Sequence, residues 1–127
     1  MSSRDNEDKS IEHAVRTNLV HFQNWSDVKI CNEELQWRER TIRLLSGIPQ
    51  TPLANGDSDS DGNPVTEFLL PVNLAQYKSD FITIECLDLI FERLCKSDTK
   101  RIILSIVNDD GTIVFYFVYK GVHKPKK

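Results

Sequence analysis

The run Asp57-Ser58-Asp59-Ser60-Asp61-Gly62 sets carboxylates at alternate positions with a glycine sixth, the spacing with which a calcium loop opens. Such a loop needs a bidentate Glu at its twelfth position, where this chain has Phe68, and Pro64 falls inside it. With no helix leading in, the run reads as a solvated loop. Cys31, Cys86 and Cys95 form no CxxC pair, and His13, His21 and His123 do not cluster with them, so no metal and no cofactor are expected. The cysteines read as small buried apolar residues in a reducing compartment. His13 and His21 lie eight apart on one predicted helix, too far for one ion. Arg38, Arg40 and Arg43 alternate with other residues; a solvated strand face is preferred to a phosphate-facing stripe. The end, His123-Lys124-Pro125-Lys126-Lys127, suits either a salt-sensitive phosphate contact or a nuclear-localisation patch.

Length and charge bound what these groups can do. The chain has 127 residues, one domain's worth, with 16 Lys+Arg against 19 Asp+Glu for a net −3. Residues 120–127 hold four lysines and no acid, so the other 119 residues carry 12 bases against 19 acids, a net −7. A body that acidic is a poor stand-alone nucleic-acid binder, because a phosphate backbone rewards a basic face. No apolar run reaches the ~18–20 residues that cross a bilayer, so no membrane insertion is expected. The polar first nine residues lack the apolar core of a signal peptide, which argues against secretion.

The elements follow from periodicity. Residues 1–9 read as disordered, and a single domain is expected over 10–122, with a basic tail at 123–127. From an N-cap at Ser10, the residues Ile11, Ala14, Val15, Leu19, Phe22 and Trp25 form one apolar helical stripe. Val28–Cys31, Leu35–Trp37 and Thr41–Leu45 read as short strands, ended by Gly47 and Pro49. Residues 50–64 read as a flexible acidic excursion inside the domain. Val65–Val72 returns to strand with Phe68, Leu70 and Val72 on one face, and Pro71 marks an edge or an end. A second helix starts near Asp80–Thr83, with Ile84, Leu87, Phe91 and Leu94 as its stripe.

Arg101–Val107 is a near-continuous apolar run, the mark of a strand covered on both faces. Asn108–Gly111 makes a tight turn, and Thr112–Tyr119 returns as a strand. Ile113, Phe115, Phe117 and Tyr119 point one way, and Val114, Tyr116 and Val118 the other. Two helices already committed to the sheet cannot cover both faces of this last strand. Leaving large side chains exposed forgoes about 1.5–3 kcal/mol each, and an unpaired apolar edge invites aggregation. A second polypeptide that completes the strand is therefore expected.

Val107-Asn108-Asp109-Asp110-Gly111-Thr112-Ile113-Val114-Phe115-Tyr116-Phe117-Val118-Tyr119-Lys120-Gly121-Val122 closely resembles the C-terminus of the smallest, non-catalytic subunits of the fungal tRNA-splicing endonucleases. Asn18–Trp25, Leu44–Gly47, Leu70–Lys78 and Glu85–Leu87 resemble the same family, so the likeness runs over Ser10–Lys127 without the acidic loop. The resemblance implies an α/β fold like the tRNA-intron endonuclease catalytic domain, with a mixed sheet flanked by two main helices and a C-terminal hairpin used for dimerisation. It implies a heterotetramer of four different chains acting on pre-tRNA. In that assembly Val114, Phe115, Tyr116, Phe117, Val118 and Tyr119 pair with a catalytic subunit. The turn Asn108, Asp109, Asp110 and Gly111 enters a basic groove on the opposite pair, bracing the other two subunits.

The family's active subunits use a tyrosine, a histidine and a lysine. Lys100 matches the lysine, but residues 50–99 hold no histidine, and Tyr77 does not match the tyrosine. The resemblance therefore implies a subunit that does not cleave RNA, with Lys100, Lys124, Lys126 and Lys127 as RNA contacts at most. The alternatives are a small ribonuclease using Lys100 with His21 or His123, and an RNA-binding module acting through the basic tail. By family, the complex works in the nucleus or on the cytosolic face of the mitochondrial outer membrane; the sticky edge offers a surface for a homodimer of the isolated chain, and the sequence does not decide whether one forms.

Overall fold

Arg101–Val107 folds as β6, and its central residues are buried on both faces, as an uninterrupted apolar run requires. The computed structural model describes residues 3–53, 64–97 and 99–121. Around β6 a five-stranded sheet forms in the order β1 (Ser26–Ile30), β4 (Leu45–Ile48), β5 (Glu67–Asn73), β6, β7 (Ile113–Tyr119). Only β5 and β6 run parallel, joined by a crossover through α2 (Leu74–Lys78) and α3 (Ile84–Arg93); the fold is α/β with a mixed sheet. A separate hairpin pairs β2 (Leu35–Trp37) with β3 (Arg40–Ile42).

Each sheet face has its own core. On one, Val15 and Leu19 of helix α1 (Ser3–His21) pack on Leu45, Leu69 and Ile103. On the other, Cys86, Ile90 and Phe91 of α3 join Leu35 and Ile42 of the hairpin over Leu70, Val72, Ile102, Leu104 and Ile106. The alternation read along β5 is correct, with Leu70 and Val72 facing α3 and Leu69 facing α1.

Several elements differ from expectation. α1 begins at Ser3 rather than at a Ser10 cap, so it takes in residues expected to be unstructured; no Gly or Pro interrupts 3–21, and propagation of a formed helix is easy. It also ends earlier than the apolar stripe. Phe22 and Gln23 both donate N–H to the Asn18 carbonyl, Asn24 turns the chain with φ 58°, and Phe22 is left 74% exposed. The same turn returns Trp25 to the sheet beside Gly47, where a Cβ would lie 3.0 Å from the indole. Gly47 therefore sits inside β4, paired with Glu67, instead of ending a strand.

Thr41–Leu45 is not one strand. It breaks at Arg43, whose guanidinium binds buried Glu12 of α1 at 3.1 Å and Glu34 at 2.8 Å. Pro71 lies in the middle strand of the sheet, yet β4 pairs only with Glu67–Leu69, so Pro71 sits where one side of β5 is already open. The α3 stripe is rotated: Thr83 caps it through the Cys86 N–H, and Ile84 at the first turn is exposed. The short α2 has no apolar stripe to announce it and rests on an Asn73–Gln76 capping box. Residues 54–63, with the calcium-like run, and 123–127, with Lys124, Lys126 and Lys127, lie outside the described residues.

Candidate functional site

β7 is the edge of the sheet. It pairs with β6 from Arg101↔Tyr119 to Val107↔Ile113, and no strand among the described residues pairs with its other side. That register assigns the faces: Ile113, Phe115, Phe117 and Tyr119 share the α1 side with Ile103, and Val114, Tyr116 and Val118 share the α3 side with Ile102 and Leu104. Cover runs out along the strand. Ile113 and Phe115 pack against the α1 core and Val118 against the α3 core. Phe117 is 42% exposed, Tyr119 44%, Tyr116 51%, and Val114 is exposed too, so bare apolar surface lies on both faces of one strand. Beside it, Leu19, Trp25, Leu53, Ile103, Phe115 and Phe117 line a hollow of about 190 Å³ on the α1 side.

A feature invisible in the sequence supports this edge. Glu67 of β5 and Arg101 of β6 form an ion pair at 2.9 Å with side chains only 7% and 9% exposed. The Arg101 guanidinium lies 4.1 Å from the Phe117 ring centroid, and Phe117 meets Tyr119 edge to face at 6.2 Å. The aromatic side chains at the open end are thus fixed by a charge paired one strand inward. Only the strand pairing reveals this chain, because Glu67 and Arg101 are 34 residues apart.

The turn ahead of β7 separates its two aspartates. Asp110 accepts from both the Thr112 N–H at 3.1 Å and the Thr112 hydroxyl at 2.7 Å, which holds its carboxyl below the ordinary carboxylate range. Asn108 clamps the other side, its amide donating to the Thr112 hydroxyl at 2.9 Å, and Gly111 takes φ 91°. Asp109 is exposed and makes no hydrogen bond or ion pair among the described residues. Asp110 therefore builds the turn, and Asp109 is the acid the turn presents. The Asp-Gly-Thr spacing already carries that signal.

Lys100 sits at the opposite end of the β6–β7 hairpin. It is exposed, and its carbonyl accepts the Lys120 N–H at 2.8 Å, so two lysines lie side by side ahead of the basic tail. Of the candidate partners for acid–base chemistry, His13 and His21 are exposed residues of α1, His13 lying 3.5 Å from the Thr17 hydroxyl. His123 is outside the described residues. Burial pushes the thiols of Cys86 and Cys95 up to about 11 and raises Cys31, the behaviour of packed apolar groups. Among the described residues no cluster of three or more His, Cys, Asp or Glu could hold a metal.

This is a small α/β domain whose last strand, among the described residues, has one open side and is apolar on both faces, an edge of the kind that pairs with another chain. The family model described as Sen15 protein matches residues 14–127. The chain is also 43% identical over 113 residues to the tRNA-splicing endonuclease subunit SEN15 of Eremothecium gossypii, covering 89% of this chain and 86% of that protein. The chain belongs to the Sen15 family, in agreement with the resemblance carried by its C-terminal residues.

Proposed function

We propose that this chain is a non-catalytic, structural subunit of a heterotetrameric tRNA-splicing endonuclease that excises introns from pre-tRNA. β7 continues the sheet into a catalytic subunit, making an endonuclease-like dimer through the C-terminal hairpin. Asp109 reaches a basic groove on the opposite pair. The open edge strand carries the reading, because it leaves backbone donors and acceptors beside four exposed apolar side chains in the isolated chain. Family membership supports it, since the Eremothecium relative is named as a subunit of that enzyme.

Lys100 with no histidine beside it in sequence supports a chain that cuts nothing alone, and the adjacent Lys120 favours a phosphate contact there, extended by Lys124, Lys126 and Lys127. The site of action is the nucleus or the cytosolic face of the mitochondrial outer membrane. Among the described residues no helix is long and apolar enough to cross a membrane, so attachment there is assigned to a partner.

Co-expression with the other subunits followed by intact-mass measurement tests this. One copy of the chain is expected, leaving under mild dissociation as a pair with a catalytic subunit. Release as a pair with the other non-catalytic subunit, or failure to co-purify, refutes the reading. Cleavage of pre-tRNA by the purified chain alone refutes its non-catalytic part.

A further inference from the structure

The side chains of β7 alone are too few for a stable interface. Val114, Tyr116, Phe117 and Tyr119 leave at most about 100 Å² each for a partner, about 400 Å² in all, where a stable interface takes about 800 Å² from each side. Cover is therefore expected to spread from the strand onto one of its faces. The α1 face offers the room. Leu53 there is 37% exposed, and Phe22, just past the end of α1, is barer still.

The hollow on that face has walls that are already set. Leu19 and Ile103 line it as buried core residues. The Trp25 N–H donates to the Leu19 carbonyl at 2.9 Å, its indole lies against Gly47, and Arg101 stacks on the Phe117 ring. A socket that needs no ordering costs less to fill. Among the described residues no charged side chain lines it, and the amide nitrogen of its polar member, Gln23, lies 3.5 Å from Asn18 Oδ1. A cavity of about 150 Å³ accepts a benzene ring, so a hollow of about 190 Å³ has room for one large side chain.

The β6–β7 ladder shows which partner residues come near it. The Asn108 N–H bonds the Thr112 carbonyl and the Lys120 N–H the Lys100 carbonyl, both at 2.8 Å, so Val114, Tyr116 and Val118 turn their main-chain groups toward β6. Ile113, Phe115, Phe117 and Tyr119 turn theirs outward, and these are the residues whose side chains lie on the α1 side. A residue bonded opposite one of them shares its face, and its diagonal neighbours at about 7–8 Å are within reach of a long side chain.

We propose that the hollow on the α1 side of β7 is a socket for one large uncharged apolar side chain of the catalytic subunit, carried opposite Phe115 or Phe117 on the strand that pairs with β7. The inference rests on the proposed function for the identity of that subunit.

The test titrates benzene, and separately the catalytic subunit, into the full chain with labelled leucine and isoleucine methyls. Both are expected to move the Leu19, Leu53 and Ile103 methyl signals and the Trp25 indole N–H in NMR spectra. In calorimetric titrations benzene is expected to lower affinity for the catalytic subunit. Leu53→Asp sets a carboxylate against the apolar occupant and is expected to weaken binding about 10- to 100-fold. Leu53→Met, of similar volume, restores it. An unchanged urea midpoint verifies that the variants fold, and the benzene and methyl readings need no substitution.

The proposal is overturned if benzene leaves the four signals in place, since the hollow is then closed in the free chain. It also fails if the catalytic subunit protects the outward β7 amides without moving those signals, in which case the proposed function stands without the socket. Signals that move only as the chain itself is concentrated assign the hollow to a second copy and overturn it as well. No binding of the catalytic subunit at all refutes the proposed function, and the occupant with it.

Discussion

Replacing Tyr116 with glutamate separates the stability of this chain from the completion of its edge. Tyr116 is 51% exposed on the α3 side of β7. A tyrosine side chain that buries about 150–250 Å² in full leaves about 100 Å² for a partner to cover, or about 2.5 kcal/mol at ~25 cal/mol/Å². Within the isolated chain the exchange loses little more than strand preference, whose whole range is about 1 kcal/mol. At the junction it removes that burial and places a carboxylate in an apolar contact. Affinity for the catalytic subunit should therefore fall by about 2–3 kcal/mol, roughly 30- to 150-fold. Calorimetric titration against the catalytic subunit measures the first quantity, and urea unfolding of the chain alone the second. If affinity falls less than threefold while the variant remains folded, β7 is not the surface the partner covers.

Three further outcomes follow from local geometry. Gly47→Ala should destabilise the chain by about 1–3 kcal/mol, read as a lower urea midpoint, because the new methyl would meet the Trp25 ring at 3.0 Å and a Val28 methyl at 3.1 Å. Asp80→Gly should stabilise it by about 1 kcal/mol in the same assay. Asp80 holds φ 60° just past the Ser79 cap of α2, where the Phe81 N–H bonds back to the Gln76 carbonyl, a position that favours glycine. The Asp110 turn should loosen in acid. Its folded-state pKa lies below the ordinary 3.8, so its hydrogen bonds are present above that value and lost as pH falls through the lowered one. The Thr112 amide shift should titrate there, and Asp110→Asn should abolish the step.

Most of the sheet was legible because its signals are local. The unbroken apolar run of β6, the alternation of Phe68, Leu70 and Val72 in β5, and the turn before β7 each identify an element without reference to the rest. The edge of the site was legible for the same reason: Tyr116 and Phe117 are adjacent apolar residues on opposite faces, whatever lies beyond. What escaped depends on pairing. Arg43 breaks a predicted strand because Glu12, 31 residues earlier, is buried against it. Arg101 steadies Phe117 only because β5 and β6 align in parallel, with Glu67 on the neighbouring strand. Phe22 fits the apolar stripe of α1 but falls beyond its end at His21, since Asn24 reverses the chain to bring Trp25 onto Gly47. Arg38 reaches the Asp80 carbonyl, 42 residues later, only once the hairpin has folded against the segment that follows α2.

Hydrogen exchange along Ile113–Tyr119 tests the unfinished edge most directly. In the free chain, the β7 amides that point away from β6 should exchange almost as fast as those of an open loop, while the β6 amides stay protected. On binding a catalytic subunit, those same outward amides should slow by orders of magnitude. Unchanged exchange in the assembled complex, or full protection in a monomeric free chain, would contradict the account.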